Sequence, residues 1–129
     1  MIVEVVGGLI LDPDGRLLTV RKRGTSRFML PGGKREPGED DFTALAREVG
    51  EELGVEVISA TLLGQFEAQA ANEAGATVRS CAYLIEIEGE IAIRSEIEEL
   101  SWIDPASPPA AIAPLLAGRI LPVVLALRS

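Results

Sequence analysis

Residues 32–55 read GGKREPGEDDFTALAREVGEELGV, and no other stretch restricts the fold as tightly. Gly32 and Gly33 follow Pro31, and Pro37-Gly38 breaks the chain again. An unbroken helical pattern then begins, with Asp40 or Asp41 as its N-cap. Glu48, Glu51 and Glu52 stand three and four residues apart, so they share one helix face across roughly 100°. Phe42, Leu45, Val49 and Leu53 form an adjoining apolar stripe that a sheet can cover. Like charges so spaced cost an isolated helix a few tenths of a kcal/mol per pair. A solvated face explains many acidic clusters. It does not explain a double-glycine approach, which suits a backbone that must come close to metal and phosphate.

The rest of the chain limits the chemistry further. There is no histidine, and Cys81 is the only cysteine. A zinc site of imidazoles or thiolates is excluded within one chain, and so is a disulfide. Cys81 reads as a small core residue, since no histidine is present to activate it. Oxygen ligands remain, and these suit Mg²⁺, with Mn²⁺ as a substitute. The net charge of −8 argues against a partner such as long nucleic acid. The charges are unevenly spread: six of the 12 basic residues fall between positions 21 and 35, and eight of the 20 acidic ones between 36 and 56. A basic flank beside an acidic cluster suits a polyphosphate arriving with a divalent cation. No apolar run reaches membrane-spanning length, and the first residues lack a signal-peptide pattern. With the lone cysteine, this predicts a cytoplasmic protein without a membrane partner.

Read in order, residues 2–11 are β-branched and apolar on both faces apart from Glu4, as in a central strand. Asp12-Pro13-Asp14-Gly15 is a turn, and residues 16–21 return as a second strand. Phe28-Met29-Leu30 is a short strand entering the glycines. After the helix, residues 61–70 and 77–87 form a long hairpin. A further strand carries Trp102, and residues 110–127 read as helix interrupted by Gly118 and Pro122. Strands first, one helix in the middle and one at the end give an α+β protein, with 129 residues forming a single domain.

The order Gly33, five residues, Glu39, seven residues, then Arg47-Glu48-Val49-Gly50-Glu51-Glu52-Leu53-Gly54-Val55 resembles the Nudix box at every defined position. The resemblance implies the Nudix fold, an α/β/α sandwich with a mixed β-sheet. It also implies a metal-dependent pyrophosphohydrolase acting on a nucleoside diphosphate joined to another group. Glu48, Glu51 and Glu52 match the family's metal-binding carboxylates, and Glu48 is shared between ligation and general base. Gly33 matches the glycine whose carbonyl helps bind metal. Glu39 and Arg47 match a pair that braces the loop against the helix. Glu96 resembles a downstream carboxylate that binds metal or acts as base in some members. Many relatives are homodimers.

Arg21, Arg23 and Arg27 are candidate phosphate contacts. Phe28 is placed either against a base or in the core. Asn72 and Glu73 are placed either at the substrate mouth or in a plain hairpin turn. The marks of several subgroups are missing: there is no proline between Pro37 and Pro105, as an ADP-ribose enzyme would often have, and no tyrosine near Asn72. Nucleoside triphosphates, oxidised ones included, remain as the expected small-molecule partners. The alternatives are ADP-ribose or a nucleotide sugar, and a catalytically silent nucleotide-binding module.

Overall fold

A computed structural model describes residues 1–70 and 74–127. Four strands form a mixed sheet in the order β3-β1-β5-β4: β1 (Ile2–Leu9), β3 (Gly32–Gly33), β4 (Glu56–Gln69) and β5 (Thr77–Glu88). β1 lies inside this sheet, parallel to β5 and antiparallel to β3, as its two-sided apolar sequence predicts. β4 and β5 are the long hairpin, but β4 begins at Glu56, five residues before the expected start. A second, two-stranded antiparallel sheet joins β2 (Leu17–Lys22) to β6 (Ile97–Ile103). The substrate-mouth reading of Asn72 and Glu73 lies outside the described residues.

One helix, α1 (Asp41–Leu53), covers one side. Asp40 is its N-cap: the carboxylate accepts from the Thr43 N–H at 2.8 Å, a bond worth about 1 kcal/mol to a helix start. Gly54 ends it in the left-handed conformation at φ 70°. Leu45, Val49 and Leu53 are fully buried against Val6, Leu18, Val20 and Ile85. Each such side chain contributes about 1.5–3 kcal/mol of transfer free energy.

Two parts of the helix differ from the expected stripe. Phe42 is 44% exposed, because the first turn directs Asp41, not Phe42, towards the sheet, where Tyr83 on β5 donates to it. Glu52 lies inside the buried face, at 2% exposure, and not beside it.

The opposite side is covered by the C-terminal segment. Pro122 has no N–H to give, and the turn before it is wide, a π-turn (Leu116–Ile120) leading into α2 (Leu121–Leu127). Leu116, Ile120, Leu121 and Val124 pack there with Leu9, Leu17 and Ala82. Helical layers on both sides of the sheets give the α/β/α sandwich. Among the described residues no helix is long and apolar enough to cross a membrane.

Candidate active site

Two glycines bring the loop after β3 against the core. A Cβ on Gly32 would stand 2.0 Å from the Val6 carbonyl oxygen, and its φ of 149° excludes most side chains as well. A Cβ on Gly33 would stand 2.3 Å from Glu48 Oε2. The Glu48 carboxylate therefore rests against bare backbone.

Glu52 sits one turn further along α1. Its Oε1 accepts from the Gly32 N–H at 3.2 Å, while Oε2 is buried with no hydrogen-bond partner. Burial is the main reason its pKa is raised, to about 8; Glu48 beside it adds to the rise, and the positive charge of Lys22 opposes it. A buried carboxylate oxygen without a donor is costly, unless something outside the protein supplies positive charge.

Arg47 organises the acidic residues around this point. It donates from Nε to Glu39 Oε2 at 2.7 Å, from Nη1 to Glu48 at 2.5 Å and to Glu51 at 2.9 Å, and from Nη2 to the Lys34 carbonyl at 3.0 Å. This ties the loop to the helix. The Arg47 bond, with the Glu36 N–H second, lowers the Glu39 pKa to about 2. Arg35 is fixed by Asp41, at 2.5 Å, and Asp41 also accepts from the Tyr83 hydroxyl.

Glu96 reaches the same region from the loop before β6. That loop is bonded to the end of α1 through Arg94 N–H to the Glu52 carbonyl, 2.9 Å, and Ala92 N–H to the Leu53 carbonyl, 2.9 Å. The two bonds satisfy carbonyls that a helix end leaves open, and they fasten the loop that leads to Glu96 to the end of α1. Lys22 pairs with Glu96 at 3.3 Å.

These groups border a cleft of about 630 Å³. Its polar wall carries Lys22, Lys34, Arg35, Arg47, Glu48 and Glu96, and its apolar wall includes Val5, Leu30, Leu116 and Ile120. A NUDIX domain profile matches residues 1–122, which is nearly the whole chain. The chain belongs to the Nudix family. A MutT-like protein of Streptomyces ambofaciens is 33% identical over 120 residues, covering 90% of this chain and 73% of the relative. An 8-oxo-dGTP diphosphatase of Haemophilus influenzae is 36% identical over 70 residues, 51% of this chain and 52% of the relative. Among solved structures, the E. coli ORF135 protein has a TM-score of 0.78 at 27% identity, covering 99% of this chain and 91% of that one. MutT NUDIX hydrolase from Burkholderia pseudomallei, at 24% identity, shares the fold with a TM-score of 0.78, over 100% of this chain and 99% of its own.

As a Nudix hydrolase the protein acts on phosphoric anhydride bonds of small nucleotide substrates, and the family generally needs divalent metal. The donor set fits a hard cation: it is all oxygen, and Glu52 Oε2 has no partner within the protein. Among the described residues no three acidic or cysteine side chains converge closely enough to hold a metal unaided. Glu51 is the outlying carboxylate, mostly exposed and turned to Arg47. So few converging carboxylates would suit a hard cation that keeps water and substrate phosphate among its ligands.

The four substrate-binding candidates do not border the cleft. Arg21 is bonded to Glu99 at 2.6 Å and to the Thr25 carbonyl at 2.8 Å. Arg23 lies by Glu98 and the Ser95 carbonyl, and Arg27 donates to the Ala110 carbonyl at 3.0 Å. Phe28 packs on the C-terminal core. The cations that do border the cleft are Lys22, Lys34 and Arg35, together with Arg47. Strand parity could have singled out Lys22. Leu18 and Val20 face the α1 core, so Lys22 continues that face and Arg21 opposes it.

Proposed function

We propose that this Nudix hydrolase cleaves (deoxy)nucleoside triphosphates, oxidised ones included, with Mg²⁺ or, in its place, Mn²⁺. The observation that carries the reading is the pairing of the buried, unpartnered Glu52 Oε2 with a cleft that has one polar wall and one apolar wall. The charged walls suit a polyphosphate, and the apolar wall suits a base. The Haemophilus influenzae relative, an 8-oxo-dGTP diphosphatase, supports the substrate class. The whole of 1–129 acts as one domain, and a homodimer is tested by light scattering.

In this reading Glu48, Glu52 and the Gly33 carbonyl hold the cation, with Glu51 at its margin. Once bound, the cation offsets phosphate charge and makes a water more acidic. Lys34 and Arg35 draw the polyphosphate to the polar wall. Arg47 and Glu39 keep the loop, and with it Gly33, at a fixed distance from α1. Glu96 stands on a loop separate from the helix carboxylates, free to take the proton of the attacking water as general base.

The test is a substrate panel of nucleoside triphosphates, their 8-oxo forms, ADP-ribose and nucleotide sugars, with products identified by mass. Nucleoside monophosphate and pyrophosphate from triphosphates are expected. A preference for ADP-ribose or nucleotide sugars replaces the substrate class, and binding without turnover of any member would make the chain a silent module.

A further inference from the structure

The apolar wall is one face of the β1–β5 ladder. Parallel pairing sets Val3 beside Val78, Val5 beside Ser80 and Gly7 beside Ala82. Strand alternation sends Cys81, Tyr83 and Ile85 to the α1 side and leaves Val78, Ser80 and Ala82 on the other. Leu30, Leu116 and Ile120 border the same cleft. On this wall Ser80 is the buried polar side chain, at 2% exposure. Its hydroxyl is 3.5 Å from where a Cβ on Gly7 would stand, and Leu30 is 3.3 Å from that point. The missing side chain at Gly7 thus lets Leu30 and the Ser80 hydroxyl come together on one patch of the wall. Among the described residues no protein group is seen bonded to the Ser80 hydroxyl, which borders the cleft and, unlike Glu52 Oε2, is not sealed from it. Thr25, whose hydroxyl also borders the cleft, is committed to the Lys22 carbonyl at 2.8 Å. Buried hydroxyls are ordinarily partnered. One left open on an otherwise apolar cleft wall is half of a bond that a ligand completes.

Resting on the nucleotide reading above, we propose that Ser80 is the specificity residue that meets the hydrogen-bonding edge of the nucleobase. A hydroxyl both donates and accepts, so it serves a carbonyl edge or an amino edge alike. Among the described residues the carboxamide that borders the cleft is Gln69, which is exposed at the end of β4, and no carboxylate or carboxamide is buried on the wall beside Ser80 to favour one edge pattern. The site therefore demands an edge without choosing strongly among bases, and the enzyme has a broad base range.

The experiment is calorimetric binding of the four deoxynucleoside 5′-monophosphates and of base-free 2-deoxyribose 5-phosphate, which needs no turnover. Wild type binds the four nucleotides within about tenfold of one another. Ser80→Ala weakens them about 3- to 10-fold, the worth of one neutral hydrogen bond, and leaves deoxyribose 5-phosphate unchanged. Ser80→Thr, which keeps the hydroxyl, retains affinity, and Ser80→Cys, of similar size but a weak donor, behaves like alanine. Equal weakening of nucleotide and base-free ligand, no weakening at all, or a preference of a thousandfold for one base overturns the proposal. Failure of the nucleotide reading shows separately, as absence of triphosphate turnover by wild type.

Discussion

Arg47 and Glu39 are joined by two parallel hydrogen bonds, Nε to Oε2 at 2.7 Å and Nη2 to Oε1 at 2.9 Å, across the seven residues between them. The planar fork is what makes both bonds possible, and a lysine cannot reproduce it. The same guanidinium touches Glu48 and Glu51, so the brace also sets the carboxylates apart from one another.

The first prediction follows from that fork. Arg47→Lys should lose about as much activity as Arg47→Ala, roughly ten- to a hundredfold, as outer-shell partners of metal sites do. Steady-state assays of both variants check it. Near-normal turnover by Arg47→Lys would show that charge alone suffices.

A second prediction concerns pH. Glu52 has its folded pKa raised from the ordinary 4.5 to about 8, chiefly by burial. Between those values the folded state holds a proton that the unfolded state has released, so metal-free stability should fall as pH rises through this window and level off above it. Added Mg²⁺ or Mn²⁺ should raise the melting temperature most at the alkaline end, since it binds the folded, ionised site. Glu52→Gln should remove the fall. Melting curves from pH 4 to 9, with and without cation, decide it, and a metal-free curve that rises across the window would contradict the assignment.

Third, the two adjacent glycines should fail differently. Gly33→Ala meets the Glu48 side chain, which must give up its bond to Arg47 to make room. Its fold should survive while metal-supported activity drops. Gly32→Ala meets the Val6 backbone at a φ that alanine resists, and should lose about 1–3 kcal/mol or more of stability. Paired denaturation and activity measurements separate the two effects.

Much of this was legible in the sequence because it is local. The spacing of Gly33, Glu39, Arg47 and the three glutamates carries the fold, and β1 reads as a central strand from its residues alone. What the sequence hid is non-local. Arg21 resembles a phosphate contact until Glu99, 78 residues away, is found bonded to it. The periodicity that placed Glu52 beside the stripe could not show that the Gly32 loop closes over it. Phe42 has the right spacing for the stripe, but the first turn of α1 reaches past the core.

A fourth prediction sets Glu96 against Glu48. Glu96 is exposed and pairs with Lys22 on β2, at 3.3 Å, away from the helix; Glu48 rests against the Gly33 backbone. Glu96→Gln should lower kcat by about 10²–10⁴-fold, leave KM near normal and recover in part at high pH. Glu48→Gln should weaken cation affinity and recover in part with added Mn²⁺. If Glu96→Gln turns over at the wild-type rate while Glu48→Gln is inert at every Mn²⁺ concentration, the two roles are exchanged.

The central claim is that a cation held at Glu52 drives hydrolysis of the anhydride, and Glu52→Gln tests it most directly. Glutamine fills the same buried space without charge, so the fold should be retained. Turnover of a deoxynucleoside triphosphate is measured for wild type and Glu52→Gln with Mg²⁺, with Mn²⁺ and after chelation. The account predicts that kcat falls by about two or more orders of magnitude in the variant, and that wild type is inactive in chelator until cation is restored. A folded Glu52→Gln protein with near-normal turnover, or full turnover by metal-free wild type, would contradict it.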